Sequence, residues 1–314
     1  VALFLFRKLA RALLTLVACV TAVFFVLRLA GDPLASLLPD DSPQDVIDAY
    51  RVRFGLDRTL WDQYVSYLAA AVRGDLGLSF RDGRPVAEVV AERIPATLQL
   101  GLGALVLALA TGVPMGVVAA LNRNTAIDRL VMAAAVFGFA MPIFFLAILL
   151  VFVFAMQFRV LPSAGSDTWA HMILPVVVLA AATAGKVARY MRTAIVDILG
   201  QPYIRTATGK GLRRFAVIAA HALPNAAIPL ITFLGFELGT LIGGAVVTET
   251  VFAWPGIGRL LVVSVGQRDL PVVQAIVLLV AATMVTASLL ADIVLAWLDP
   301  RLRTALGSRG WASS

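Results

Sequence analysis

The chain has 314 residues, 60% of them hydrophobic and 14% charged, with a mean hydropathy of +0.91. A soluble domain cannot hide that much apolar surface, so composition excludes a water-soluble globular protein and points to a polytopic membrane protein. The formal net charge of +7 does not indicate a nucleic-acid binder, because Arg and Lys gather in short segments beside apolar runs, where they report topology.

Residues 1–30 combine a basic start (Arg7, Lys8 and Arg11) with a first predicted span, Leu9–Leu29. The single cysteine, Cys19, cannot form an intrachain disulfide. Leu16-Val17-Ala18-Cys19 has the look of a lipoprotein cleavage box, but the apolar run continues to Leu29, so a retained span is expected. Residues 31–95 carry seven Arg and eleven acids and read as an extracytoplasmic loop. Within it the spacing predicts short amphipathic helices over Gln44–Phe54 and Leu60–Val72, then a tight irregular turn over Arg73–Phe80. A segment this small cannot build much core of its own and reads as a folded cap.

From residue 96 to 298 five more spans are expected: Ala96–Leu121, Leu130–Met156, Met172–Ala188, Ala226–Thr248 and Val273–Leu298. Each is long enough to cross a hydrocarbon layer of roughly 30 Å as a helix. The predicted fold is therefore all-α, with six transmembrane helices. The end of the fourth span and the connection after it carry Lys186, Arg189, Arg192, Arg205, Lys210, Arg213 and Arg214 against Asp197. The tail, residues 299–314, carries Arg301, Arg303 and Arg309 against Asp299. Both, with the basic start, belong on the cytosolic side, which puts the two termini there.

Gly112-Val-Pro114-Met-Gly116 and Gly138-Phe-Ala-Met-Pro142 should bend their helices or admit close neighbours. Gly235, Gly239 and Gly243 form one smooth face of the fifth span. Glu237 lies near the middle of that span, roughly opposite the glycines, where an ionised carboxylate facing lipid costs roughly 2.5–3.5 kcal/mol. It should face protein or water, either as a structural hydrogen-bonding group or as part of a translocation pathway. Arg28 and Asp292 lie near span ends, where the side chain reaches the interface.

No catalytic constellation emerges. There is no HExxH metal site, and His171 and His221 fall on opposite sides of the predicted membrane. Gly209-Lys210-Gly211 lacks the spacing of a phosphate loop, so the chain has no ATPase site and is not expected to be an enzyme.

The segment Tyr203–Asn225, YIRTATGKGLRRFAVIAAHALPN, is basic, glycine-punctuated and closed by Leu-Pro. It reads as a short helix outside the bilayer, a turn, and the start of another span. Its pattern resembles the signature of ABC-importer permeases. Arg205-Thr206-Ala207 stands in the EAA place, Gly211 is the glycine and His221-Ala222-Leu223-Pro224 the closing I-x-L-P. With Arg73–Phe80 (RGDLGLSF), Thr248–Gly258 (TETVFAWPGIG) and Leu298–Arg303 (LDPRLR), it resembles the B-type subunit of the oligopeptide/dipeptide/nickel branch, over almost the whole chain.

The resemblance implies a type I ABC-importer permease architecture in a bacterial inner membrane. It also implies four kinds of partner: membrane lipid, a homologous C-type permease, two cytosolic ATPases that bind ATP and Mg, and an extracytoplasmic substrate-binding protein. No cofactor is implied in this chain. Within residues 200–224, Arg205, Thr206, Ala207, Lys210, Gly211, Leu212, His221, Leu223 and Pro224 would form the ATPase-coupling segment, with Pro224 at the start of the fifth span. Glu237, Thr240 and Met141 would belong to the translocation pathway. Trp254, Pro255 and Gly256 would make a re-entrant turn near an outer gate, with an interfacial Trp anchor as the simpler alternative.

Three departures stand out. Thr208 and Gly209 replace Arg and Ala of many relatives, Pro224 replaces a frequent Arg of the branch, and Glu237 stands where a neutral polar residue is expected. The rival function is an ion-coupled secondary transporter, which would bury several ionisable groups at mid-membrane. An intramembrane enzyme lacks an acid/base or nucleophile pair. The cargo stays open among dipeptides, longer peptides, nickel chelates, glutathione and haem-like ligands.

Overall fold

Apolar runs bounded by Gly, Pro and charged residues fold here into long helices, since a segment in lipid must satisfy its backbone hydrogen bonds internally. The computed structural model describes residues 2–29, 31, 34, 37–39 and 41–298. In chain order these form α1 (Ala2–Leu29), α2 (Gln44–Arg53), α3 (Leu60–Val72), α4 (Val86–Ala91), α5 (Ile94–Leu121), α6 (Ala126–Ala140) and α7 (Ile143–Leu150). They continue with α8 (Ala170–Leu199), α9 (Pro202–Gly209), α10 (Arg214–Val217), α11 (Leu223–Gly244), α12 (Val246–Val251), α13 (Ile257–Gly266) and α14 (Leu270–Leu298). Two wider, π-helical stretches follow α7 (Val151–Gln157) and α10 (Ile218–Ala222). Apart from Leu298, the Leu298–Arg303 motif and the tail lie outside the described residues.

Among the described residues four stretches are long and apolar enough to cross a membrane: Ala10–Leu29, Val86–Leu121, Ala170–Leu199 and Leu270–Ala291. The α6–α7 pair makes a fifth if its halves form one span, and these meet at 101°. The break falls at Met141-Pro142. Proline cannot donate a backbone hydrogen bond, and it pushes Met141 out of the helical region to φ −73°, ψ 129°.

The fourth predicted span needs correcting, because α8 runs from Ala170 to Leu199 rather than ending at Ala188. Its charges do not stop it. Lys186 and Arg192 each meet a carboxylate on a neighbouring helix, so the helix carries on past them.

Around this long helix pack α5, α6, α7, α11 and α12. The α5–α8 contact is made of small residues: Ala104, Ala108, Ala180 and Ala184 are buried together. A Cβ on Gly112 would sit 2.6 Å from the Ala184 carbonyl oxygen, so this approach needs glycine. The glycine face of α11 lies on α14, with Gly235 against Ala291, Gly239 against Ala287 and Gly243 against Val280.

α2–α4, one helix more than the two expected in this segment, form a cap that shares its core with the long helices rather than owning one. Val86 and Val90 of α4 pack with Ile257, Val272 and Ile276 of α13 and α14. Tyr64 shares a 2.7 Å hydrogen bond with Thr21 of α1, and Phe24 contacts the rings of Tyr64 and Tyr67. Burial, and secondly the nearby Cys19, push the Tyr67 phenol up to about 12. The α3 start is capped by Thr59, whose hydroxyl accepts from the Asp62 N–H, worth about 1 kcal/mol. The Arg73–Phe80 turn is fixed from far away in sequence: Asp269 accepts from Ser79 Oγ (2.5 Å) and from the Phe80 N–H (3.1 Å). Arg84 pairs with Glu92 at the end of α4.

Candidate functional site

The segment from the end of α8 to α11 starts with Pro202, whose missing N–H costs nothing in a first helical turn. In α9, Ile204 and Ala207 lie three positions apart and bury one face against Ile198, Leu199 and Val217. The opposite face, with Arg205, Thr206 and Lys210, is exposed. Thr206 and Thr208 direct their hydroxyls back to the carbonyls of Pro202 and Ile204, so these weaker helix formers pair their own polar groups within the helix. The helix closes on Gly211 at φ +79°, a left-handed conformation that favours glycine. Beyond it Leu212, Arg213 and Arg214 are exposed, and Phe215 is 81% exposed.

α11 starts at Leu223, so Pro224 lies in its first turn, and the helical rod that α11 continues begins earlier, at Arg214. The π-helical turn Ile218–Ala222 precedes Pro224 and widens the backbone where the ring would clash and a hydrogen bond is lost. The Asn225 amide donates to the His221 carbonyl at 2.7 Å, adding side-chain support. Ala207 faces inward and Leu223 packs in the core around Met191 and Ile195, so neither offers a docking surface. His221 is half-buried and Pro224 exposed.

Two charged contacts join α8 to its neighbours. Lys186 Nζ lies 3.0 Å from Glu237 Oε1, and Thr183 donates to Glu237 Oε2 at 3.3 Å. The Lys186 side chain is 42% exposed and that of Glu237 12%, so the pair opens on its lysine side. Thus α11 places its glycines on α14 and its carboxylate on α8. Nearer the end of α8, Arg192 grips Asp128 of α6 with two 2.6 Å hydrogen bonds. Asp128 also accepts from the Asn124 N–H at 3.0 Å, so the α5–α6 turn is tied to α8. Met141 is half-buried at the α6–α7 break. The side chain of Thr240 lies outside the described residues, as does that of Asp292.

The Trp254-Pro255-Gly256 turn lies between α12 and α13, beneath the cap. Trp254 is buried and its indole N–H donates to the Ala96 carbonyl at 2.8 Å, so it is not an interfacial anchor. Under the turn sits Glu249, fully buried. Its carboxylate accepts from Thr97 Oγ1 (2.6 Å), from the Arg259 N–H (3.0 Å) and from the Gly258 N–H. Thr97 in turn accepts from the Ile257 N–H at 2.8 Å. The first amides of α13 are therefore capped by a carboxylate from α12 and a hydroxyl from α5, and the helix dipole favours that charge. A Cβ on Gly256 would collide with this carboxylate.

Sequence reasoning did not single out Glu249, Asp128 or the Lys186 partner of Glu237. An acid within TETVF, between apolar runs, was the available signal for Glu249. Its function depends on Thr97, far away in the chain.

Residues 112–304 match the family described as binding-protein-dependent transport system inner membrane component, and residues 1–101 match the N-terminal family of such components. Over 287 residues the chain is 42% identical to the glutathione transport system permease protein GsiC of Escherichia coli strain K12, covering 91% of this chain and 94% of that one. It is 41% identical, with the same coverage, to the GsiC of Shigella flexneri serotype 5b. Among solved structures, an inward-facing form of the MetNI methionine ABC transporter is similar in fold, with a TM-score of 0.57 and 19% identity. It covers 67% of this chain and 96% of that chain.

Proposed function

As a member of the family of binding-protein-dependent transport system inner membrane components, the chain is a translocation subunit of an ABC importer, and we propose that it forms half of a path for peptides or a related solute such as glutathione. The observation that carries this reading is the α9 corner. A short helix rests on a small buried face, presents Arg205, Thr206, Lys210 and Leu212 outward, and turns through Gly211 into one rod that reaches Glu237. That surface docks on an ATPase. ATP-driven closure of two such ATPases then moves the rod and switches access to the path.

In this reading α11, with 22 residues, is the sixth span beside α1, α5, α6–α7, α8 and α14. The basic α9–α10 segment and both ends of the chain face the cytosol, and the cap faces outward. The division is then residues 1–30, the cap region 31–95, the permease core 96–298 and the tail 299–314. The partners are a homologous C-type permease, the two ATPases holding ATP and Mg, and an extracytoplasmic binding protein. Glu237, Thr240 and Met141 face the path, and Trp254, Pro255 and Gly256 close it on the cap side over Glu249. Cysteines introduced at Gly83 and Lys210 should react with impermeant reagents from opposite sides of the membrane.

The test is uptake into vesicles holding the co-expressed subunits. Glutathione or dipeptide uptake should stop on ATP depletion and persist with an uncoupler. The reverse pattern, without a co-purifying ATPase, would instead make the protein an ion-coupled transporter.

A further inference from the structure

Between the cap and the adjoining ends of α1 and α14 lies a cavity of about 400 Å³ that the proposed transport cycle does not use. Three arginines line it: Arg28 from the last turn of α1, Arg53 from the end of α2, and Arg58 before α3. Among the described lining residues none is acidic. Two amide side chains also reach its wall. Gln274 of α14 is 5% exposed, and its Nε2 has no hydrogen-bond partner. Gln63 of α3 donates through Nε2 to the Arg58 carbonyl at 2.8 Å, while its buried Oε1 has none. A buried polar atom without a partner costs about 1–3 kcal/mol, so an occupant that satisfies both is favoured.

The chemistry required is specific. The occupant needs a negative group for the guanidinium side chains, an acceptor for Gln274 Nε2 and a hydroxyl that can donate to Gln63 Oε1. A zwitterionic peptide meets the first need but brings an ammonium that no carboxylate in the wall receives. The cavity sits where α1 ends, and α1 leaves Leu13, Leu14, Val26 and Leu29 exposed for contact with acyl chains. We propose that this cavity binds the headgroup of one anionic glycerophospholipid. Its phosphate lies against Arg53 and Arg58, its polar headgroup oxygens pair with Gln63 and Gln274, and its chains run along α1. The lipid then joins the cap to the two helices that flank it. This assignment does not depend on the transported cargo.

The experiment is native mass spectrometry of the full chain in neutral detergent, titrated separately with phosphatidylglycerol, phosphatidylcholine and soluble glycerol phosphate. One phosphatidylglycerol should be held about tenfold more firmly than phosphatidylcholine, and glycerol phosphate should not be retained. The double variant Arg53→Gln/Arg58→Gln should lose about that preference, while Arg81→Gln, elsewhere in the cap, should keep it. Gln274→Leu, which leaves every charge in place, should weaken phosphatidylglycerol alone. Equal retention of the two lipids, or full preference in the double variant, overturns the proposal. Retention of glycerol phosphate in place of lipid assigns the cavity to a soluble anion and also overturns it.

Discussion

Glu249 and Glu237 both sit among long helices of one chain, yet they are held in opposite ways. Glu249 is fully buried and fixed by a hydroxyl and by backbone amides, none of which can follow it if it moves. Glu237 is held by a lysine with four flexible methylenes and a side chain 42% exposed. The first arrangement locks α5, α12 and α13 into one corner beneath the cap. The second lets α8 and α11 shift while the charges stay within reach. The proposed coupling of motion at α9 to a path between helices would use both a fixed corner and an adjustable contact.

The largest effect should come from breaking the fixed corner. In Glu249→Leu the Thr97 hydroxyl and the Arg259 and Gly258 amides lose their acceptor, each at about 1–3 kcal/mol. Thermal unfolding of the solubilised protein should fall sharply, and Glu249→Gln, which keeps one acceptor oxygen, should fall less. A Glu249→Leu protein as stable as the parent would remove the distinction between the two carboxylates.

Second in size is Gly211→Pro at the far corner. The substitution removes the N–H that bonds the Thr208 carbonyl at 3.0 Å and forbids φ +79°. Because the surrounding residues are exposed, the chain should still insert. Coupling of ATP hydrolysis to uptake should drop about tenfold if the turn sets the docking angle, a difference of about 1.4 kcal/mol in the coupled step. Intact coupling would mean that the turn is only a connection. Reversing the charges of Arg205 and Lys210 should give a similar but smaller loss.

The short helix and its Gly211 turn were legible in the sequence, because their order is local, whereas the inward face made by Ile204 and Ala207 was not. The α8 boundary was not legible, since Lys186 and Arg192 read as loop charges until Glu237 and Asp128 were seen opposite them. Glu249 was hidden for the same reason: its meaning depends on Thr97, an element that hydrophobic periodicity places in a span but not beside α12. The glycine face of α11 was readable as a seam, yet only packing shows that α14 fills it.

Asp128→Asn tests whether the C-terminal part of α8 belongs with the fixed or the adjustable contacts. The bidentate geometry and the buried carboxylate predict a fixed one, with about 1–3 kcal/mol lost when one charged acceptor becomes an amide. Hydrogen exchange at the α5–α6 turn should rise with the loss, because the Asn124 N–H shares the same carboxylate. Unchanged protection there would place Arg192 among the adjustable contacts.

The smallest effect on stability should come from Glu237→Gln. A pair with one partner this exposed contributes about 0–1 kcal/mol, and glutamine keeps one acceptor oxygen for either Thr183 or Lys186. What changes is charge. Removing the carboxylate leaves the Lys186 ammonium uncompensated on the open side of the pair, so passage of cationic substrates should slow several-fold relative to neutral ones of equal size. Paired uptake assays with lysine-containing and alanine-only dipeptides read this ratio directly, provided delivery by the binding protein is saturated for both. Equal slowing of the two would make the pair a structural tie between α8 and α11. A stability loss as large as that of Glu249→Leu would show that Glu237 is as rigidly built in as its neighbour.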